Sequence, residues 1–232
     1  MRKWQNSTAQ LLPDLPDPCL LAVMQHCTSD LPSLFSAACT HSKLHQADIM
    51  ALSSITWQVS TQQQLDSIMQ YLKQHGRHVS SISLAGPEYR KGQFIHPEKQ
   101  PGVILGELPN NLPQLASLKL GGLSVQLQPG NGHQGLLGAG LPVLKRLRLD
   151  GCSLLDGQQG LAAALTLLPA LQRLTTSGAE PLSSTWTTGL QQLQHLQHVR
   201  LLGCLGRANN LQHLQCLTQL QSLELHIRVQ SP

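Results

Sequence analysis

The sequence predicts an α/β solenoid in which short parallel strands alternate with helical returns, preceded by a small head of three helices. Three observations lead to this prediction. An apolar pattern with the spacing L-x-x-L-x-L occurs six times in the 232 residues. The segments between the copies have the apolar spacing of helices. Only 3% of the residues are aromatic and 12% are charged, so the interior must consist mainly of aliphatic side chains.

Each copy of the pattern predicts one short strand. Its last two apolar positions are two residues apart, so both point to the same side of an extended chain. Successive copies begin 36, 29, 27, 25 and 24 residues apart. Two copies continue to a cysteine, Cys152 and Cys204, where a small buried side chain lets the chain turn away from the sheet. The six copies are Val79-Ile82-Leu84, Leu115-Leu118-Leu120, Leu144-Leu147-Leu149, Leu171-Leu174-Thr176, Leu196-Val199-Leu201 and Leu220-Leu223-Leu225.

Helical segments are predicted around these strands, each with one apolar face. A helix through Leu65, Ile68, Met69 and Leu72, closed by Gly76, precedes the first strand. The later returns are marked by three apolar sets: Leu161, Leu165 and Leu168; Trp186, Leu190 and Leu193; and Leu211, Leu214 and Leu217.

With this pattern, residues 62–232 resemble the leucine-rich-repeat family, whose repeats are about 20–29 residues long. The resemblance implies a horseshoe with the parallel sheet on its concave face, stabilised by the stacking of neighbouring repeats. The first interval of 36 residues is longer than this period, so we expect an inserted loop at residues 86–112. The alternative is a generic leucine-rich α/β domain, or a Gln/Leu tract that imitates repeats by chance.

Residues 15–50 have a different pattern, which predicts three short helices. Asp17 before Pro18 favours a helix start, and an apolar stripe follows it. The segment contains Leu15-Pro16, Leu20, Val23-Met24, Asp30-Leu31 and Ala38-Cys39. With these residues it resembles an F-box, a domain that opens with Leu-Pro and docks onto a Skp-type adaptor of cullin ubiquitin ligases through an apolar helical stripe. The resemblance implies that the adaptor-binding residues are Leu15, Pro16, Leu20, Val23, Met24, Leu31, Leu34 and Cys39. The alternative is a helical cap for the repeats. Residues 1–14 are expected to be a disordered N-terminal segment and residues 51–61 a linker.

Residues that alternate with the core leucines are expected to face the concave groove. Five of the sixteen lysines and arginines fall there. Because guanidinium groups match carboxylate and phosphate oxygens, the groove predicts an acidic or phosphorylated protein target. The expected target-binding residues are Lys119, Arg146, Arg148, Asp150, Arg173, Thr175, His198, Arg200 and Glu224. The alternative is a solvated sheet face that carries charge for solubility.

Composition and motifs argue against other classes of function. A net charge of +4 is far from the dense basic clustering of nucleic-acid-binding proteins, and no apolar run approaches the roughly 20 residues of a membrane span. The six cysteines are scattered without a C-x-x-C pair, and no catalytic motif occurs, so we expect no metal, no cofactor and no enzymatic activity. The resemblances to an F-box and to leucine-rich repeats together imply a cytoplasmic or nuclear substrate-recognition adaptor of an SCF-type ubiquitin ligase. The alternative is a non-catalytic leucine-rich-repeat scaffold or regulatory module.

Overall fold

The computed structural model describes residues 53–87, 103–127, 136, 141–177, 189–190, 192–205 and 217–228. The chain divides into two compact units, Met1–Thr56 and Trp57–Pro232. The N-terminal segment and the predicted three-helix head lie outside the described residues. The second unit contains nearly all of the structure that follows.

A seven-stranded sheet runs through the described residues, and its strand order is the order of the chain. From the second strand onward, all neighbouring strands are parallel. The predicted α/β class with a parallel sheet is therefore confirmed. The strands are β1 (Ser54–Gln58), β2 (Ser81–Ala85), β4 (Ser117–Gly121), β6 (Arg146–Asp150), β8 (Arg173–Ser177), β9 (His198–Leu205) and β10 (Ser222–Arg228). A second sheet contains three short parallel strands, β3 (Ile104–Leu105), β5 (Ser124–Val125) and β7 (Ser153–Leu154).

The register of the main sheet places the repeated apolar residues directly opposite one another. One ladder runs through Ile82, Leu118, Leu147, Leu174, Val199 and Leu223. Its first five members are at most 1% exposed, whereas Leu223 on the edge strand β10 is 43% exposed. Each fully buried side chain of this kind contributes about 1.5–3 kcal/mol. The apolar pattern therefore stabilises the sheet by stacking side chains between neighbouring strands.

The same turn precedes five of the strands. In each, the backbone N–H of the leucine that opens the pattern donates to the carbonyl three residues earlier, at 3.1–3.2 Å. The donors are Leu115, Leu144, Leu171, Leu196 and Leu220. In three of these turns a proline follows the acceptor residue, where its fixed φ suits the second position of a turn. The prolines are Pro113, Pro142 and Pro169.

The predicted helix before the first repeated strand is confirmed as α1 (Gln62–His75). The side chain of Thr61 caps it by accepting a hydrogen bond from the Gln64 backbone N–H. Gly76 ends the helix in a right-handed conformation, with φ −65°. Its lack of a side chain is needed for a close approach, because a Cβ there would lie 2.6 Å from Cδ2 of Leu112.

Of the three predicted returns, the one at Leu161 to Leu168 is confirmed as α2 (Gly157–Thr166). Its apolar face is buried at Leu161 and Leu165. The other two predicted returns lie almost wholly outside the described residues; residues 189–190 are helical.

Three local predictions differ from the structure. The segment predicted to be a linker contains β1, where Ile55 is buried at 2% exposure. Within the predicted inserted loop, residues 103–112 bury Leu105 and Leu108 and form β3, while residues 88–102 lie outside the described residues. Each segment contributes only a short strand, so its pairing depends on neighbours distant along the chain. The predicted turn at Cys204 is absent, because β9 continues to Leu205 and stays paired with β10.

Candidate functional site

The residues that alternate with the buried ladders form one side of the main sheet, which we call the polar face. Because the strands are in register, this face is a grid of three cross-strand rows. The first row is Ser81, Ser117, Arg146, Arg173, His198 and Ser222. The second row is Ser83, Lys119, Arg148, Thr175, Arg200 and Glu224. The third row is Ala85, Gly121, Asp150, Ser177, Leu202 and His226. All nine predicted target-binding residues lie on this face.

Asp150 is a buried acid at the centre of the third row, only 4% exposed. Nε of Arg148 donates to its Oδ2 at 2.5 Å, and the hydroxyl of Ser177 donates to its Oδ1 at 3.3 Å. A buried carboxylate needs such partners, because losing its hydration is costly. Asp150 is therefore held within the sheet surface, and it neutralises Arg148.

A second group of charges lies towards the edge of the sheet. Nε of Arg200 lies 2.9 Å from Oε2 of Glu224, its direct neighbour across β9 and β10. Nε2 of His226 lies 3.2 Å from the other carboxylate oxygen. The side chains are 43–66% exposed, so this pairing adds little to stability. The carboxylate of Glu224 nevertheless neutralises the charge of Arg200.

The two arginines of the first row have no such partner. Arg146 and Arg173 are direct neighbours on β6 and β8, and both are exposed. Their backbone N–H groups are fixed by hydrogen bonds to the carbonyls of Ala116 and Lys145, at 3.0 and 2.9 Å. In the part of the chain that the structure describes, neither side chain forms an ion pair or a hydrogen bond. Lys119 in the second row likewise lacks a counter-charge among the described residues.

The two neighbouring guanidinium groups make this part of the face electrostatically unfavourable in isolation. Like charges directly opposite on neighbouring strands repel. Elsewhere on the same face, Arg148 and Arg200 each have an acid in contact. The positive charge of the face is thus concentrated at Arg146, Arg173 and Lys119, where an anionic ligand would neutralise it.

The remaining predicted site residues fall into two sets. Thr175 and His198 are half-buried members of the grid, beside the charged groups. The predicted adaptor-binding residues, Leu15 to Cys39, lie outside the described residues.

Two further residues of the polar face belong to the charged groups, although they are not among the predicted target-binding residues. Ser177 contacts Asp150, and His226 contacts Glu224. Both residues could have been predicted from the sequence, because they alternate with the buried core positions of their strands.

Sequence reasoning also missed a cleft next to α1. Its volume is about 890 Å³, and its walls include Met69 and Lys73 on the helix and Glu107 and Asn111 opposite. The amide of Asn111 donates to the carbonyl of Lys73 at 3.5 Å. The cleft exists because residues 103–112 return to α1, and no local motif marks that return.

The cysteine that follows β6 is not a reactive thiol. Burial, with a smaller contribution from the negative charge of Asp150, raises the pKa of Cys152 from 9.0 to about 12, although hydrogen bonds with the backbone of Leu123, Asp150 and Gly122 act in the opposite direction. At neutral pH the group is a protonated thiol, and a thiolate is what a nucleophile or metal ligand requires. Among the described residues, no three His, Cys, Asp or Glu side chains are grouped so as to hold a metal ion.

Neither known protein-family models nor curated proteins gave a match to this chain. Within the described ranges, no helix has the length and apolar character needed to span a lipid bilayer.

Proposed function

We propose that this protein is a leucine-rich-repeat protein whose polar face binds an acidic or phosphorylated segment of a target protein. We further propose that it serves in the cytoplasm or nucleus as the substrate-recognition adaptor of an SCF-type cullin ubiquitin ligase. In this role the N-terminal residues 15–50 dock a Skp-type adaptor, and the protein itself is not an enzyme.

The repeat assignment is supported by two regularities. The strands follow one another in chain order with their apolar residues in register. The turn before the strand is also repeated with the same hydrogen bond. A chain in which each unit pairs with the next has the nearest-neighbour organisation of a repeat protein. The proposed horseshoe would place the polar face on its concave side.

The observation that carries the binding proposal is the unneutralised pair Arg146 and Arg173. Their backbones are fixed in the interior of a parallel sheet, so the guanidinium groups are presented from a rigid surface. A charge that the protein does not neutralise itself favours a ligand of opposite charge. The acids of the face compete little with a ligand for Arg146 and Arg173, because Asp150 and Glu224 already contact other arginines.

Binding of a target is tested by proximity labelling in cells that express the full chain. The test variant is Arg146→Ala/Arg173→Ala, and we expect it to lose the specific target. The matched control is Lys73→Ala/Lys145→Ala, which removes the same charge at exposed positions outside the polar face. A target that both variants retain equally would refute binding on the polar face.

The ubiquitin-ligase part of the proposal rests on the F-box resemblance of residues 15–50. We expect a purified Skp-type adaptor to capture the full chain, and Leu20→Asp/Val23→Asp to abolish this capture because it places charge on the apolar stripe. The Arg146→Ala/Arg173→Ala variant should bind the adaptor normally. If the unaltered chain does not bind the adaptor while the target is still captured, the protein is instead a non-catalytic scaffold or regulatory module.

A further inference from the structure

We infer that Arg146 and Arg173 together form a binding site for one phosphate group, carried by a phosphorylated serine or threonine of the target protein. This inference rests on the proposed function, and it narrows the ligand of the polar face from anionic segments in general to phosphorylated ones. It also assigns the interaction to the first row of the face rather than to Arg148 and Arg200 in the second row.

The geometry suits a single tetrahedral anion. The two arginines are register partners on adjacent strands, whose backbones are about 4.8 Å apart in a sheet. Each guanidinium is a planar fork of N–H donors, and a phosphate offers three acceptor oxygens. One phosphate between the forks can therefore accept charge-assisted hydrogen bonds from both side chains at once.

The charge balance favours phosphate over carboxylate. Arg146 and Arg173 carry two positive charges without a counter-charge among the described residues. A phosphorylated side chain carries about −1.5 to −2 charges at neutral pH and neutralises the pair. A carboxylate carries about one negative charge, which leaves one guanidinium uncompensated and the repulsion between the strands partly unrelieved.

The surroundings limit where the phosphate can bind. In the second and third rows, Arg148 and Arg200 contact Asp150 and Glu224, and these carboxylates repel a second anion. In the first row the pair is flanked by Ser117 on one side and His198 on the other, both of which can donate hydrogen bonds. Lys119, one row away, adds positive charge on the side of β4.

The isolated position of the pair favours a phosphoprotein over a nucleic acid. A nucleic-acid backbone presents a phosphate at every nucleotide and is bound by an extended basic track. On this face the unneutralised charge is confined to two neighbouring strands and one lysine, and Glu224 lies on the same surface. One phosphate in a peptide segment matches that arrangement.

The test uses the purified full chain and three degenerate peptide libraries that differ only at the central residue, which is phosphothreonine, threonine or glutamate. Binding is measured by fluorescence anisotropy, and circular dichroism verifies that each variant is folded. We expect binding of the phosphothreonine library alone. Arg146→Gln/Arg173→Gln should weaken it by at least about tenfold, because two charge-assisted interactions are lost. The control Lys73→Gln/Lys145→Gln should change it less than about twofold.

A further variant separates charge from geometry. Arg146→Lys/Arg173→Lys keeps both charges but loses the planar forks, so we expect binding between that of the unaltered chain and the Gln variant. Binding of the glutamate library as tight as that of the phosphothreonine library would overturn the inference, as would unchanged binding by the Gln variant or the absence of phosphate-dependent binding. Tighter binding of a single-stranded RNA oligonucleotide than of the phosphothreonine library would also overturn it.

The outcome is distinguishable from that of the proposed function. If proximity labelling finds a target that binds the purified chain after phosphatase treatment, protein binding stands and the phosphate site is wrong. If phosphopeptides bind through the two arginines but no Skp-type adaptor is captured, the phosphate site stands and the ubiquitin-ligase role is wrong.

Discussion

The most direct test of the stacked apolar ladder compares two identical substitutions on it. Leu147 on β6 is 1% exposed, whereas Leu223 on the edge strand β10 is 43% exposed. Leucine to alanine removes roughly three carbons, each worth about 0.8 kcal/mol when fully buried. At Leu147 this loss combines with an enclosed cavity, so Leu147→Ala should cost about 2–5 kcal/mol. At Leu223 about half of the loss applies and no closed cavity forms, so the cost should be about 1–1.5 kcal/mol.

The assay is urea unfolding of the full chain, followed by far-ultraviolet circular dichroism. The free energy of unfolding should fall by at least about 0.5 kcal/mol more for Leu147→Ala than for Leu223→Ala. The midpoint of thermal unfolding should differ by about 2–4 °C for each kcal/mol. Both substitutions remove the same atoms from a leucine in a strand, and the two positions differ strongly in burial. An equal or larger loss at Leu223 would refute the burial of the ladder as described.

Two further predictions concern a glycine and a thiol. Gly86→Ala should destabilise the protein by about 1–3 kcal/mol, because its Cβ would collide with the carbonyl oxygen of Gly122; Gly106→Ala, whose Cβ has its nearest neighbour at 3.8 Å, should be close to neutral in the same unfolding assay. Cys152 should react with iodoacetamide at pH 9 roughly a hundredfold more slowly in the native chain than in urea, as followed by peptide mass spectrometry, because burial raises its pKa to about 12. Because the pKa of Cys152 is higher in the folded state than in the unfolded state, the stabilisation linked to its protonated thiol is complete below pH 9.0. The free energy of unfolding declines as the pH rises from 9.0 towards 12. Native labelling as fast as in urea would contradict the buried thiol.

The sequence predicted the parts of the fold that depend on local spacing. An apolar residue at every second position defines the buried side of a strand whatever its neighbours are, so β4, β6, β8, β9 and β10 could be located from the pattern. Helix α1 was predicted in the same way, from apolar residues on one helical face. The side of the sheet that carries the charged residues followed from the same alternation.

Elements without a local signal could not be predicted in this way. β1 has only Ile55 as a buried residue, and the two-residue strand β3 is too short to show a period. Both form because pairing with an existing strand satisfies their backbone groups, and this depends on residues distant along the chain. The cleft beside α1 depends on the same return of residues 103–112.

The sequence by itself determined which residues alternate between the buried and polar sides, because that choice follows from the two-residue period of a strand. Only the tertiary structure decided which charges are neutralised. The contact between Arg200 and Glu224 spans 24 residues of sequence and exists only because β9 and β10 are in register. The burial of Asp150 likewise selects Arg148 as its partner, and leaves Arg146 and Arg173 as the unneutralised pair.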